Sequence, residues 1–137
     1  MAKLFSQEWM QAFAGAWNAD EDMISNLAAA NFCSCIGFGW IGDIIPAGVI
    51  EVQQGKVIHV GGYNSQTIDW DLRADMDTWQ DWIQNGFGLS KLGVAVPSGK
   101  LKFLVGDYRK MVRNPKLAKP FLRHFELMTN LKTEFVR

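Results

Sequence analysis

The 137-residue chain is poor in most of the devices, other than apolar burial, that hold small folds together. It has two cysteines, Cys33 and Cys35; two apart on a strand they point the same way and are badly placed to bond each other. No disulfide framework is available, and a reducing compartment is expected. With no second Cys or His pair at ligand spacing, no metal site and no cofactor are expected either. Prolines number four, and no linker-like tract, internal repeat or low-complexity stretch divides the chain, which leaves one domain over residues 1–137. Neither sign of charge is in excess. Fourteen basic side chains face fourteen acidic ones, a poor balance for a protein dedicated to nucleic acid, whose affinity rests largely on neutralising phosphates. Long hydrophobic runs are also missing: the most apolar stretch, Phe32 to Ile50, is broken by Asp43, Pro46 and four glycines, so no membrane-spanning helix is expected. The opening residues lack the apolar core of a secretory signal, and a cytoplasmic location is expected. No Gly-x-Ser-x-Gly elbow, Walker loop or His-Glu-x-x-His occurs, which removes support for the common hydrolase, phosphotransferase and zinc-protease routes.

What the chain does have is apolar mass. Hydrophobic residues make up 48%, among them six Trp and nine Phe, enough to offset the entropy of ordering a domain of this length. Ser6 is a good N-cap for a first helix in which Trp9, Phe13, Ala16 and Trp17 fall on one face. Asn18 to Asp22 supplies the start of a second, running through Met23 and Leu27 to about Ala30. From Phe32 the period becomes two. Phe32, Ser34, Ile36, Phe38 and Trp40 share one face of a strand, whereas Cys33, Cys35, Gly37 and Gly39 share the other. A face that bare predicts a close approach to the backbone by a packed helix or a bound apolar molecule. Further strands are expected at about Val49–Gln54 and Val57–Tyr63, joined by a tight turn at Gly55, and at Thr67–Ala74. Asp77 is expected to cap a helix that carries Trp79, Trp82 and Ile83 and stops at Gly86. A short helix near Ser90–Leu92, a strand around Leu101–Val105, a helix after Asp107 and a last one from Asn114-Pro115 complete the order, with Pro120 expected to kink the last helix or mark its true start. Strands gathered in the middle and helices at both ends predict an α+β domain with one sheet, helices covering one of its faces.

Three blocks of residues resemble the sterol carrier protein 2-like family. Phe5-Ser6-Gln7-Glu8-Trp9 followed by Asn18 is similar to its opening helix. Ala74-Asp75 with Asp77-Thr78-Trp79-Gln80-Asp81-Trp82-Ile83 and Gly86 is similar to its Thr-Trp helix after a strand end. Ser98-Gly99-Lys100-Leu101-Lys102-Phe103-Leu104-Val105-Gly106-Asp107, with Thr133-Glu134-Phe135, is similar to its Gly-Lys-Leu-Lys strand and closing Thr-x-Phe. The blocks run in the family's order over most of the chain; Cys33–Gly42 and Gly61–Asp71 match none of its motifs. The resemblance implies a five-stranded sheet, mostly antiparallel or mixed, with helices over one face. It also implies a hydrophobic tunnel for sterols, fatty acyl chains or other lipids, and no catalytic machinery.

On this reading the candidate lining of the tunnel is Trp9, Phe13, Trp17, Phe38, Trp40, Trp79, Trp82, Ile83, Leu92, Met111, Phe121, Phe125 and Met128, rigid rings and adaptable thioethers suited to apolar ligands. The charges are unevenly spread: residues 1–71 hold two basic and eight acidic side chains, and residues 72–137 twelve and six. Lys100, Lys102, Arg109 and Arg113 are therefore candidates for an anionic headgroup or a transient membrane contact. An enzymatic alternative would use Asp69, Asp71 and His59, or His124, as acid and base. A third reading is an interaction domain with a filled core, for which a homodimer is one arrangement.

Overall fold

The computed structural model describes residues 1–137 and contains seven strands and six helices. A short strand, β1 (Ala2–Lys3), precedes α1 (Gln7–Asn18), which starts where the Ser6 hydroxyl accepts the Trp9 N–H at 3.3 Å. The Asp20 carboxylate accepts the Met23 N–H at 3.2 Å and opens α2 (Glu21–Ala29). There follow β2 (Ser34–Trp40), β3 (Gly48–Gln53), β4 (Lys56–Gly61) and β5 (Trp70–Ala74). The turn between β3 and β4 needs two left-handed residues, Gln54 at φ 48° and Gly55 at φ 81°. A Cβ on Gly55 would also stand 2.9 Å from the Ala28 amide nitrogen of α2, so only glycine fits there.

After the sheet come α3 (Met76–Asn85), α4 (Leu89–Ala95), β6 (Lys102–Val105), α5 (Tyr108–Arg113), α6 (Pro115–Met128) and β7 (Thr133–Glu134). Asp75, rather than Asp77, is the N-cap residue of α3; Asp77 lies in its first turn, where a negative charge suits the helix dipole. Asp107 caps α5 as expected, accepting the Lys110 N–H at 3.1 Å. Pro120 sits inside α6, which already begins at Pro115.

The main sheet has the order β4-β3-β2-β5-β6. It is mixed: β2 pairs antiparallel with β3 and parallel with β5, and the outer pairs β3–β4 and β5–β6 are antiparallel. The fold is thus the expected α+β arrangement. β1 and β7, too short to leave a periodic signal, pair in parallel beside it.

One face of the sheet carries the core. Ile36, Phe38 and Trp40 from β2, Ile50 and Val52 from β3 and Leu72 and Ala74 from β5 pack with Trp9, Phe13, Trp79, Phe125 and Met128 from the helices. Each deeply buried indole N–H finds an acceptor that also ties elements together. Trp9 donates to the Thr133 hydroxyl (2.8 Å), Trp17 to the Gly55 carbonyl (2.9 Å) and Trp79 to the Gly39 carbonyl (2.9 Å).

The bare face of β2 is covered by the chain's own residues 41–47. A Cβ on Gly37 would lie 3.0 Å from Pro46 Cβ, and one on Gly39 3.0 Å from the Ala47 amide nitrogen. Beneath this loop Arg73 (1% exposed) forms a two-pronged ion pair with Asp71, Nε to Oδ1 at 2.6 Å and Nη2 to Oδ2 at 3.1 Å. Its remaining nitrogen, Nη1, donates to the carbonyls of Trp40 (3.1 Å) and Asp43 (2.7 Å). The guanidinium therefore pins the loop to the sheet.

Arg73→Met alone leaves the Asp71 carboxylate buried without its partner and is expected to cost about 3–5 kcal/mol. Adding Asp71→Asn should recover part of that loss. A double-mutant cycle by urea denaturation measures the coupling.

Candidate functional site

Where the end of α1, α2, α5 and α6 meet over β2 and β5, the core is left open. The cleft there opens to solvent and is narrow within, with about 40 Å³ of free space. Ile36 and Leu72 form its floor, Trp17, Met23, Leu27 and Phe32 one side, and Trp70, Met111, Leu117, Pro120 and Phe121 the rest, with His124 from α6. Ten of its twelve lining residues are hydrophobic, so it offers an apolar molecule contact on every side.

Three residues of the expected lining stand on this cleft: Trp17, Met111 and Phe121. The other ten, Trp9, Phe13, Phe38, Trp40, Trp79, Trp82, Ile83, Leu92, Phe125 and Met128, are buried in the core cluster. They pack on one another there. Trp79 stacks on Phe125 with centroids 6.1 Å apart, and Trp82 meets Trp79 edge to face at 5.6 Å. Met23, Leu27, Ile36, Trp70, Leu72, Leu117, Pro120 and His124 line the cleft without having been singled out as lining. On α6 a signal was available: Leu117, Phe121, His124 and Met128 follow at i, i+4, i+7 and i+11 on the buried stripe.

The basic candidates are exposed and in no ion pair, but they do not converge. Lys102 and Arg109 flank a shallow hollow beside β6, Lys100 lies with Lys91 and Asp81 on another, and Arg113 ends α5. The cleft wall itself carries Lys110, Lys116 and Lys119 on the outer surfaces of α5 and α6. Arg123 is engaged: it bridges Asp20 (2.7 Å) and Glu126 (2.6 Å), joins the start of α2 to α6, and holds the Asp20 carboxyl below its usual range.

The acid–base set is not assembled. Asp71 is locked to Arg73 on the opposite face of the sheet. Asp69 is exposed, and its carboxylate accepts the Cys35 N–H at 2.8 Å. His59 is exposed opposite Glu51, and a bulge between Glu51 and Val52 separates it from the buried Val57. Cys33 is exposed and Cys35 buried; burial, with help from Glu51 and Asp69, pushes the Cys35 thiol up to about 11, so it stays protonated at neutral pH. No three His, Cys, Asp or Glu side chains are grouped to hold a metal ion. No helix is long and apolar enough to cross a membrane.

His124 is 3% exposed, and burial lowers its pKa from 6.5 to about 4. Because the unfolded chain takes up the proton first, stability should be complete above about pH 6.5 and decline as the pH falls towards 4, by about 3 kcal/mol in all. His124→Phe should flatten this part of the profile. Denaturant melts of both proteins between pH 7 and 4.5 test it.

A mixed five-stranded sheet with helices over one face is the architecture of sterol carrier protein 2, and this chain has that fold. It superposes on a crystal structure of sterol carrier protein 2 with a TM-score of 0.71 at 18% identity, covering 95% of this chain and 100% of that one. A conserved hypothetical protein of Thermus thermophilus, described as a candidate sterol carrier protein, gives 0.69 at 16% identity, over 96% of this chain and 92% of that one. A UbiJ-SCP2 ubiquinone synthesis protein gives 0.60 at 12%, over 91% of each. No protein-family model and no curated protein sequence matches the chain. At these identities the likeness carries the fold and leaves the ligand to be argued from the residues.

Proposed function

We propose that the protein binds a lipid or other hydrophobic small molecule in the cleft under α5 and α6 and hands it on. The observation that carries this reading is the cleft itself, a gap walled by hydrophobic side chains in a core that is otherwise closely packed. The free space inside it, about 40 Å³, is well below the roughly 300–1,000 Å³ usual for small-molecule sites, so a ligand must widen the cleft on entry. Affinity would come from desolvation, at about 25 cal/mol for each Å² of apolar surface removed from water.

The interior is narrow, so admitting a long chain needs the wall to move. The movable part is the α5–α6 pair, which meets at Asn114, the residue that ends one helix and caps the other. Lys110, Lys116 and Lys119 outside this wall suit an approach to an anionic surface, where the ligand would enter or leave. The acid–base reading has no comparable support: of its residues only His124 lines the cleft, with none of Asp69, Asp71 and His59 beside it.

Native mass spectrometry of the purified protein and titration with a fluorescent fatty acid test the proposal. The expected outcome is one apolar ligand per chain, with uptake at least tenfold weaker in Leu117→Trp, which fills the cleft at unchanged thermal stability. Absence of any co-purified apolar molecule together with no uptake by the parent protein would overturn it.

A further inference from the structure

Behind the wall of the cleft lies one polar atom that nothing in the protein satisfies. His124 Nε2 is buried and without a hydrogen-bond partner, the only such side-chain nitrogen or oxygen in the molecule. Buried polar atoms of this kind are rare and call for a reason. The other ring nitrogen, Nδ1, is bonded to the Phe121 carbonyl of the preceding helical turn. A carbonyl oxygen only accepts, so Nδ1 carries the proton and Nε2 presents a lone pair.

No donor stands ready to meet that lone pair. The ring is surrounded by Phe125 (4.5 Å between centroids), Phe121 (5.0 Å), Phe38 (5.8 Å), Trp17 (6.1 Å) and Phe13 (6.2 Å). Trp17 has the only N–H among these side chains, and that is given to the Gly55 carbonyl. His124 also lines the cleft, and it supplies the only nitrogen or oxygen acceptor among the lining side chains.

We infer that His124 Nε2 is the polar anchor of the cleft, accepting a hydrogen bond from a hydroxyl or phenol at the inserted end of an otherwise apolar ligand. The inference rests on the cleft being the ligand site and adds the chemistry of the ligand's buried end. Donor direction sets the selectivity. A neutral imidazole offers an ionised carboxylate nothing, and an ether or plain hydrocarbon leaves the nitrogen unpaired, whereas an alcohol pairs it. Burial keeps the ring neutral near pH 7, which preserves this acceptor. Because Nε2 is closed off from solvent, the ligand reaches it only by displacing the neighbouring rings, Phe121 of the cleft wall first.

The test uses two isomeric probes of equal length, 1-decanol and methyl nonyl ether, of which only the first has an O–H. Calorimetric titration of the parent protein should give decanol an advantage of roughly tenfold over the ether, the ratio expected of one net buried hydrogen bond. In His124→Phe the ratio should fall to about one, with ether binding retained. In ¹⁵N spectra of the parent protein the His124 Nε2 signal should shift on adding decanol and stay in place with the ether, a readout that needs no variant to fold. Equal binding of the two probes, or an unchanged preference in His124→Phe, overturns the inference and leaves the cleft as an apolar site. Binding of neither probe overturns the cleft reading beneath it as well.

Discussion

Ile36, Phe38 and Trp40 stand on one side of the central strand β2, and Cys35, Gly37 and Gly39 on the other, and this asymmetry decides where the remaining elements can lie. The bulky side must be buried under something equally broad, and α1, α3 and α6 supply the rings to meet it. The bare side lets backbone come within van der Waals distance, and residues 41–47 fold down upon it. Once that loop lies flat, Arg73 and Asp71 beneath it lose their water, and each becomes tolerable only through the other. The pair specifies the loop's position more than it adds net stability.

On the bulky side the three buried indole N–H groups reach acceptors in the Gly55 turn, in β2 and in β7. Few arrangements satisfy all three at once, so the aromatic core is closed and well defined around Phe38 and Trp79. The packing loosens towards the α5–α6 side. There the wall is made by two helices that join at Asn114 and by side chains half in contact with solvent, among them Leu117 and Phe121. A closely packed aromatic block thus stands beside an open apolar seam.

Much of the order of elements was legible in the chain, because it is written in local chemistry: Ser6 and Asp107 as caps, Gly55 and Gly86 as turns, the two-residue alternation around Phe38. The pairing of β5 with β2 was not, since parallel neighbours leave no mark in a local pattern. Nor was the burial of Asp71, because the alternation along β5 carries no sign that residues 41–47 cover that face. For the site, hydrophobicity marked Trp9 and Trp17 alike. Only the packing distinguishes the ring that fills the core from the one that borders a gap, because a gap is a property of what neighbours fail to fill. His124 stood out in the sequence as a candidate base; its surroundings of five aromatic rings make it an unpaired acceptor instead.

The methionines give the most direct view of the central claim, that the seam under α5 and α6 takes an apolar ligand. Met23 and Met111 border the cleft, whereas Met10 and Met128 lie sealed in the core. With ¹³C-methyl-labelled methionine, titration with 1-decanol should move the Met23 and Met111 signals in saturable fashion and show contacts from both methyl groups to the decyl chain, with Met10 and Met128 nearly still. Saturable binding that moves neither Met23 nor Met111, or no binding at all, would contradict the account.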